Sequence, residues 1–183
     1  TNSTEAQFVR KAGTFHVLNY QPNSLFEIGI FEGGIYRNWD TTGTVRLPAN
    51  YYIPLIGLNS ALNEGDATHY KGIVGVSSRI NPIKTLAIYG QIALSTNSSD
   101  ALGSQFGVKW FDAFKAKNLF LQGEMNFVEA DLYRGVAPEM NYWHYNEGLG
   151  NYTSSFSNEM IGRVQYSWRD VFIRLKVNNQ DRE

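Results

Sequence analysis
The 183-residue sequence predicts an all-β fold: an antiparallel up-and-down array of about eight strands. Three observations predict it. Apolar side chains recur at every second position in stretches of about ten residues, the period of a strand with two unlike faces. Eleven Tyr, eleven Phe, four Trp and seventeen Gly suit pleated sheets and turns rather than helix interiors. Short and long connections alternate along the chain, as in a meander trimmed at one rim and elaborated at the other.

The elements follow in order. Residues 13–20 read as the first strand and 25–36 as the second, where Phe26, Ile28 and Ile30 oppose Glu27 and Gly29. Residues 69–80 read as the third. In "LAIYGQIAL" Leu86, Ile88, Ile92 and Leu94 share one face, against Ala87, Tyr89, Gln91 and Ala93. Residues 104–111 set Phe106, Val108 and Trp110 against Gln105, Gly107 and Lys109. "NLFLQGEMNF" places Leu119, Leu121, Met125 and Phe127 opposite Phe120, Gln122, Glu124 and Asn126. "EMIGRVQYSW" sets Met160, Val164, Tyr166 and Trp168 against Glu159, Arg163, Gln165 and Ser167. "VFIRLKVNN" sets Val171, Ile173, Leu175 and Val177 against Phe172, Arg174, Lys176 and Asn178. Short turns fall at 21–23, 80–84, 112–118 and 167–170, where Asn, Pro and Asp supply turn geometry. Residues 37–67 and 131–157 are the long connections, expected as external loops, and residues 1–7 are a polar N-terminal stretch.

Composition narrows the function. Sixteen Lys and Arg nearly cancel seventeen Asp and Glu, so the basic surplus of a nucleic-acid binder is missing. The absence of cysteine excludes disulfide frameworks and thiolate metal sites. No apolar run reaches the roughly 18 residues of a transmembrane helix, but a transmembrane strand needs only about 10 with alternate residues apolar. Two architectures fit this alternation. A soluble β-sandwich, as in a surface-exposed carbohydrate-binding module, would bury the aliphatic faces against each other. A transmembrane β-barrel would turn them to lipid and enclose a polar network, here Glu124, Arg163, Arg174 and Lys176, with Glu124 paired to Arg163 or Lys176. Trp110, Phe111, Phe114, Tyr166 and Trp168 cluster at strand ends near short turns, where an interfacial girdle would sit, which favours the barrel.

The stretch "MNYWHYNEGLGNYTSSFSNE" (140–159) is the richest in reactive side chains. His144 and Glu147 lack the nucleophile and orienting group of a triad, and one His with one carboxylate falls short of about four ligands for a closed metal site. No catalytic residue, metal or cofactor is expected. Tyr142, Trp143, His144, Tyr145, Asn146 and Glu147 are instead expected to contact a ligand, because aromatic faces stack on sugars and also anchor protein partners. The paired glycines of "FEGGIY" are not a phosphate loop, since the Lys and following helix are missing.

Four segments in succession carry a family likeness: "LFEIGIFEGGIYR" (25–37), "LPANYYIPLIGLNS" (47–60), "GVKWFDAFKAKNLFLQGEMNFVEADLY" (107–133) and "NYWHYNEGLGNYTSSFSNEMIGRVQY" (141–166). In order and spacing they resemble the capsule-assembly and gliding-motility family of outer-membrane β-barrel proteins of Bacteroidota. The resemblance implies a non-enzymatic component of the bacterial outer membrane, acting in surface polysaccharide assembly or attachment, or in gliding and type 9 surface-protein secretion. Its implied partners are outer-membrane lipid, surface polysaccharide and other secretion or motility proteins. The family barrel has more than eight strands, which would make this chain its C-terminal portion. After "HYN" the family continues with Leu-x-His-Pro-Leu-Gly, whereas this chain has "EGLGNYTSSFSNE", so no role of that second histidine carries over.

Overall fold
The computed structural model describes residues 11–40, 43–97, 101–144, 147–149 and 157–182. One antiparallel eight-stranded sheet dominates it, with neighbours in chain order throughout. The strands are β1 (Ala12–Tyr20), β2 (Phe26–Tyr36), β3 (Tyr70–Ile83), β4 (Leu86–Ser95), β5 (Leu102–Phe111), β6 (Leu119–Val128), β7 (Ser157–Trp168) and β8 (Val171–Arg182). The all-β, up-and-down expectation holds. β1 and β8 pair only with β2 and β7, so among the described residues the sheet is open at both edges and is not a closed cylinder.

Strand limits differ from the expectation mainly where pairing extends a strand beyond its alternating pattern. β3 continues through Pro82 to Ile83, with a register irregularity between Ile80 and Ile83, so that its turn shrinks to Lys84–Thr85. Proline cannot donate to a ladder, and an irregularity is where a strand accommodates it. β8 runs to Arg182 because its partner β7 begins at Ser157, which faces Arg182.

Among the described residues helical structure is confined to the connections. It comprises the five-residue α1 (Leu58–Leu62) and short 3-10 turns at Ala49–Tyr52, Ala113–Lys115 and Pro138–Met140. Four of the five described non-glycine residues with positive φ, Asp112, Phe114, Lys115 and Asn118, lie in the single turn between β5 and β6.

The sheet has an aliphatic and a polar face. Because the period is two, register brings Ile28, Val76, Ile92, Phe106, Met125, Val164 and Ile173 to one side, and Gln91, Gln105, Glu124, Arg163 and Lys176 to the other. Across β3 to β7 the aliphatic face carries no charged side chain among the described residues. It is also uncovered: Phe106 is 56 % exposed, Ile173 58 % and Leu175 61 %. Besides this sheet the described residues hold only two two-residue ladders, Trp39–Asp40 with Gly43–Thr44 and Trp143–His144 with Glu147–Gly148, too small to be the second sheet that a sandwich requires.

The buried core sits at the end of the sheet with the long connections. On the polar side Leu132, Met140 and Tyr142 pack against Ile35, Ile73, Ala93, Ala101 and Val128. On the aliphatic side Ala12, Tyr36 and Tyr70 pack with Leu47 and Tyr51. At this end, therefore, connecting segments clad both faces of the sheet, while the aliphatic strand surfaces toward the short turns stay open.

Candidate functional site
The first part of the connection after β6 does not project outward. Residues 129–143 fold back over the polar face and are tied down along their length. Glu129 and Leu102 bond reciprocally: the Leu102 N–H donates to Glu129 Oε2 at 2.8 Å, and the Glu129 N–H to the Leu102 carbonyl at 2.9 Å. The buried Lys71 ammonium donates to the Asp131 carbonyl at 2.8 Å and to Ser95 Oγ at 2.7 Å. Further along, Arg37 pairs with Glu139 at 2.9 Å and Lys11 Nζ donates to the Asn141 carbonyl at 2.7 Å. A Cβ at Gly103 would lie 2.5 Å from Leu132, so a residue without a side chain lets the loop seat on β5.

Tyr142 closes the arrangement. Its hydroxyl donates to the Lys71 carbonyl at 3.2 Å, and its ring meets Phe15 edge-on with centroids 6.2 Å apart. Burial, and then the neighbouring Tyr70, push its phenol well above the ordinary tyrosine range, so it stays a donor at any physiological pH. Between this loop and the sheet lies a cavity of about 660 Å³, lined among others by Phe15, Phe31, Gln91, Gln105, Tyr133 and Tyr142.

The structure separates the residues singled out from the sequence. Tyr142 is buried at 3 % exposure and serves loop packing, whereas Trp143 is 39 % exposed. The His144 and Glu147 backbones face one another in a two-residue ladder. Tyr145 and Asn146 lie outside the described residues, as do the side chains of His144 and Glu147.

Glu124, Arg163, Arg174 and Lys176 share the polar face, but the expected pairing of Glu124 with Arg163 or Lys176 is replaced by bonds from neutral donors. Glu124 Oε2 accepts from the Tyr89 hydroxyl at 2.5 Å and from Gln122 at 3.3 Å; Oε1 accepts from Gln105 and Asn126, each at 3.0 Å. Four bonds fill the acceptor sites of one carboxylate. Asn126 links onward to Glu159 at 3.0 Å, and Asn178 donates to the same carboxylate at 2.8 Å. The polar face thus has an amide–carboxylate half beneath the loop and a cationic half toward the short turns.

Tyr89, Gln105, Asn126 and Lys109 complete this face and were not singled out from sequence. Alternation assigns each of them to it, but only register shows which meet.

The aliphatic side of the same end carries a buried carboxylate. Glu32, 2 % exposed, accepts from the Ser60 N–H at 2.8 Å, Ser60 Oγ at 2.7 Å and the Gly57 N–H at 3.0 Å. These bonds fasten α1 to β2, and Asn59 and Asn50 extend them inward at 3.1 Å. No cluster of three or more metal-ligating side chains occurs among the described residues. Compared with known proteins, the chain matches no family model, no curated protein and no solved structure.

Proposed function
We propose that this chain is a portion of a transmembrane β-barrel of the bacterial outer membrane. In this reading it is a non-enzymatic component for surface polysaccharide assembly or attachment, or for gliding and surface-protein secretion. The observation that carries the membrane part is the sorting of charge: over five successive strands every charged side chain falls on one face, while the other is aliphatic and exposed. In water such a surface would be far larger than the apolar patches a monomer tolerates. Facing lipid, it is the ordinary exterior of a barrel wall, and strands of nine to fourteen residues are long enough to span when tilted. The open edges then pair with further strands that complete the wall, because an unpaired edge has no place in hydrocarbon.

The biological role rests on the four ordered segments that resemble the capsule-assembly and gliding family. The cavity beneath residues 129–143, with aromatic rings beside amides, suits a polar ligand or a partner segment entering from the long-connection rim.

Fractionation of cells making the full protein tests this reading. The chain is expected in carbonate-washed outer membranes and soluble only with detergent. Recovery as a detergent-free monomer would sink it. Loss of surface polysaccharide or of gliding on deletion would separate the two roles.

A further inference from the structure
Across β5 to β8 the cationic half of the polar face carries no carboxylate of its own. Register places Lys109 opposite Gln122, Gln122 opposite Arg163, and Arg163 opposite Lys176, so three cations lie in one row across four neighbouring strands. Arg174 stands two residues from Lys176 on the same face of β8. With strands about 4.8 Å apart, the row spans roughly 14 Å. Among the described residues none of these four side chains forms an ion pair.

Aromatic rings flank two of the four without neutralising them. Lys109 Nζ sits 4.8 Å from the centroid of the Tyr89 ring, and the Arg174 guanidinium 5.2 Å from that of Phe172. Arg163 Nε is buried without a hydrogen-bond partner. The carboxylate of this face nearest the row, Glu124, has its acceptor sites filled by Tyr89, Gln105, Gln122 and Asn126. Arg163 directly opposite Lys176 is a like-charge cross-strand pair, which is unfavourable unless an anion lies between them.

The geometry points to a binding site for a multivalent oxyanion, of the phosphoryl or polycarboxylate class, on the row Lys109–Arg163–Lys176 with Arg174 at its side. Arg163 supplies a planar fork for two oxygens, and the lysines supply point charges on either side. The site depends on the sheet and its register alone, and holds whether or not this face lines a membrane pore.

The test is titration of the purified full chain with tripolyphosphate and, separately, citrate at constant ionic strength, followed by calorimetry. Tripolyphosphate binding, weakening as salt rises, is expected, and the citrate arm distinguishes carboxylate from phosphoryl recognition. Removing two charge-assisted contacts in R163Q/K176Q is expected to weaken affinity about tenfold or more. R46Q, an exposed position in the long connection at the opposite end of the sheet, leaves affinity unchanged. Without anion, R163Q/K176Q is expected to unfold at the same or a higher temperature than the parent, since a repulsion is gone. Equal affinity in parent and R163Q/K176Q, or no binding of either anion by the parent, would overturn the site. Should the double variant not fold, K109Q in the same titration decides by the same criterion.

Discussion
The Tyr89 hydroxyl reaches Glu124 Oε2 at 2.5 Å across an intervening strand, over the bare backbone of Gly107. Register sets Tyr89 opposite Gly107 and Gly107 opposite Glu124, so a side chain on β5 would stand between the two. A Cβ at Gly107 would lie 2.3 Å from the Tyr89 ring. Gly107→Ala is therefore expected to displace the ring and break the bond, costing about 1–3 kcal/mol. Tyr89→Phe, which keeps the ring and loses only the hydroxyl, should cost about 1–2 kcal/mol because three amide donors remain on Glu124. Urea unfolding of both single variants and the double variant checks this. Fully additive losses would show that the glycine and the hydroxyl do not act on the same contact.

Leu132 is fully buried where the loop rests on Gly103. Leu132→Ala should cost about 2–5 kcal/mol of the loop's hold and open the cavity behind it. The chain has no cysteine, so a single Gln105→Cys reports directly on access. Its maleimide labelling should accelerate when Leu132→Ala is added. An unchanged rate would mean that the loop does not limit entry.

Glu32 holds three donors from the segment containing α1. Glu32→Ala strands two backbone N–H groups and a hydroxyl in a buried place, and should cost about 3 kcal/mol or more. Release of the segment should appear as new protease cleavage between residues 53 and 66 while the strands stay protected. Glu32→Gln keeps an acceptor for Ser60 and is expected to fall between parent and Ala.

The aliphatic face offers the sharpest test of the membrane reading. Ile173 and Leu175 are more than half exposed, so arginine there creates no cavity and no steric clash. In a bilayer each Ile173→Arg or Leu175→Arg change should cost about 2–4 kcal/mol near the midplane. Reconstitution yield into vesicles should fall sharply for both. Lys176→Arg, on the opposite face, should insert like the parent. Equal insertion of all three would contradict lipid contact on this side.

Much of the sheet is legible in the sequence because strand identity and facing are local properties. "VFIRLKVNN" announces both by strict alternation, and the structure keeps Val171, Ile173, Leu175 and Val177 together. The site was less legible. Tyr142 reads as an exposed contact residue because it stands among Trp143, His144 and Tyr145, yet it packs between Phe15 and Tyr133. Nothing local distinguishes a tyrosine that will be buried by a loop folding back from one that will not. Lys71 gave no signal either, since its partners are Ser95 on a neighbouring strand and a carbonyl sixty positions away.

By itself the sequence determined that this protein is a meander of alternating strands, with the charge of β3 to β7 on one face and aliphatic bulk on the other. A two-residue period acts within each strand and needs no partner to define it. Only the tertiary structure decided which polar side chains meet. Register gave Glu124 to Tyr89 and three amides, and left Lys109, Arg163, Arg174 and Lys176 without a carboxylate. It also decided that residues 129–143 cover the polar face, because that fold-back rests on packing against Gly103, Ile73 and Ala93, all distant in the chain.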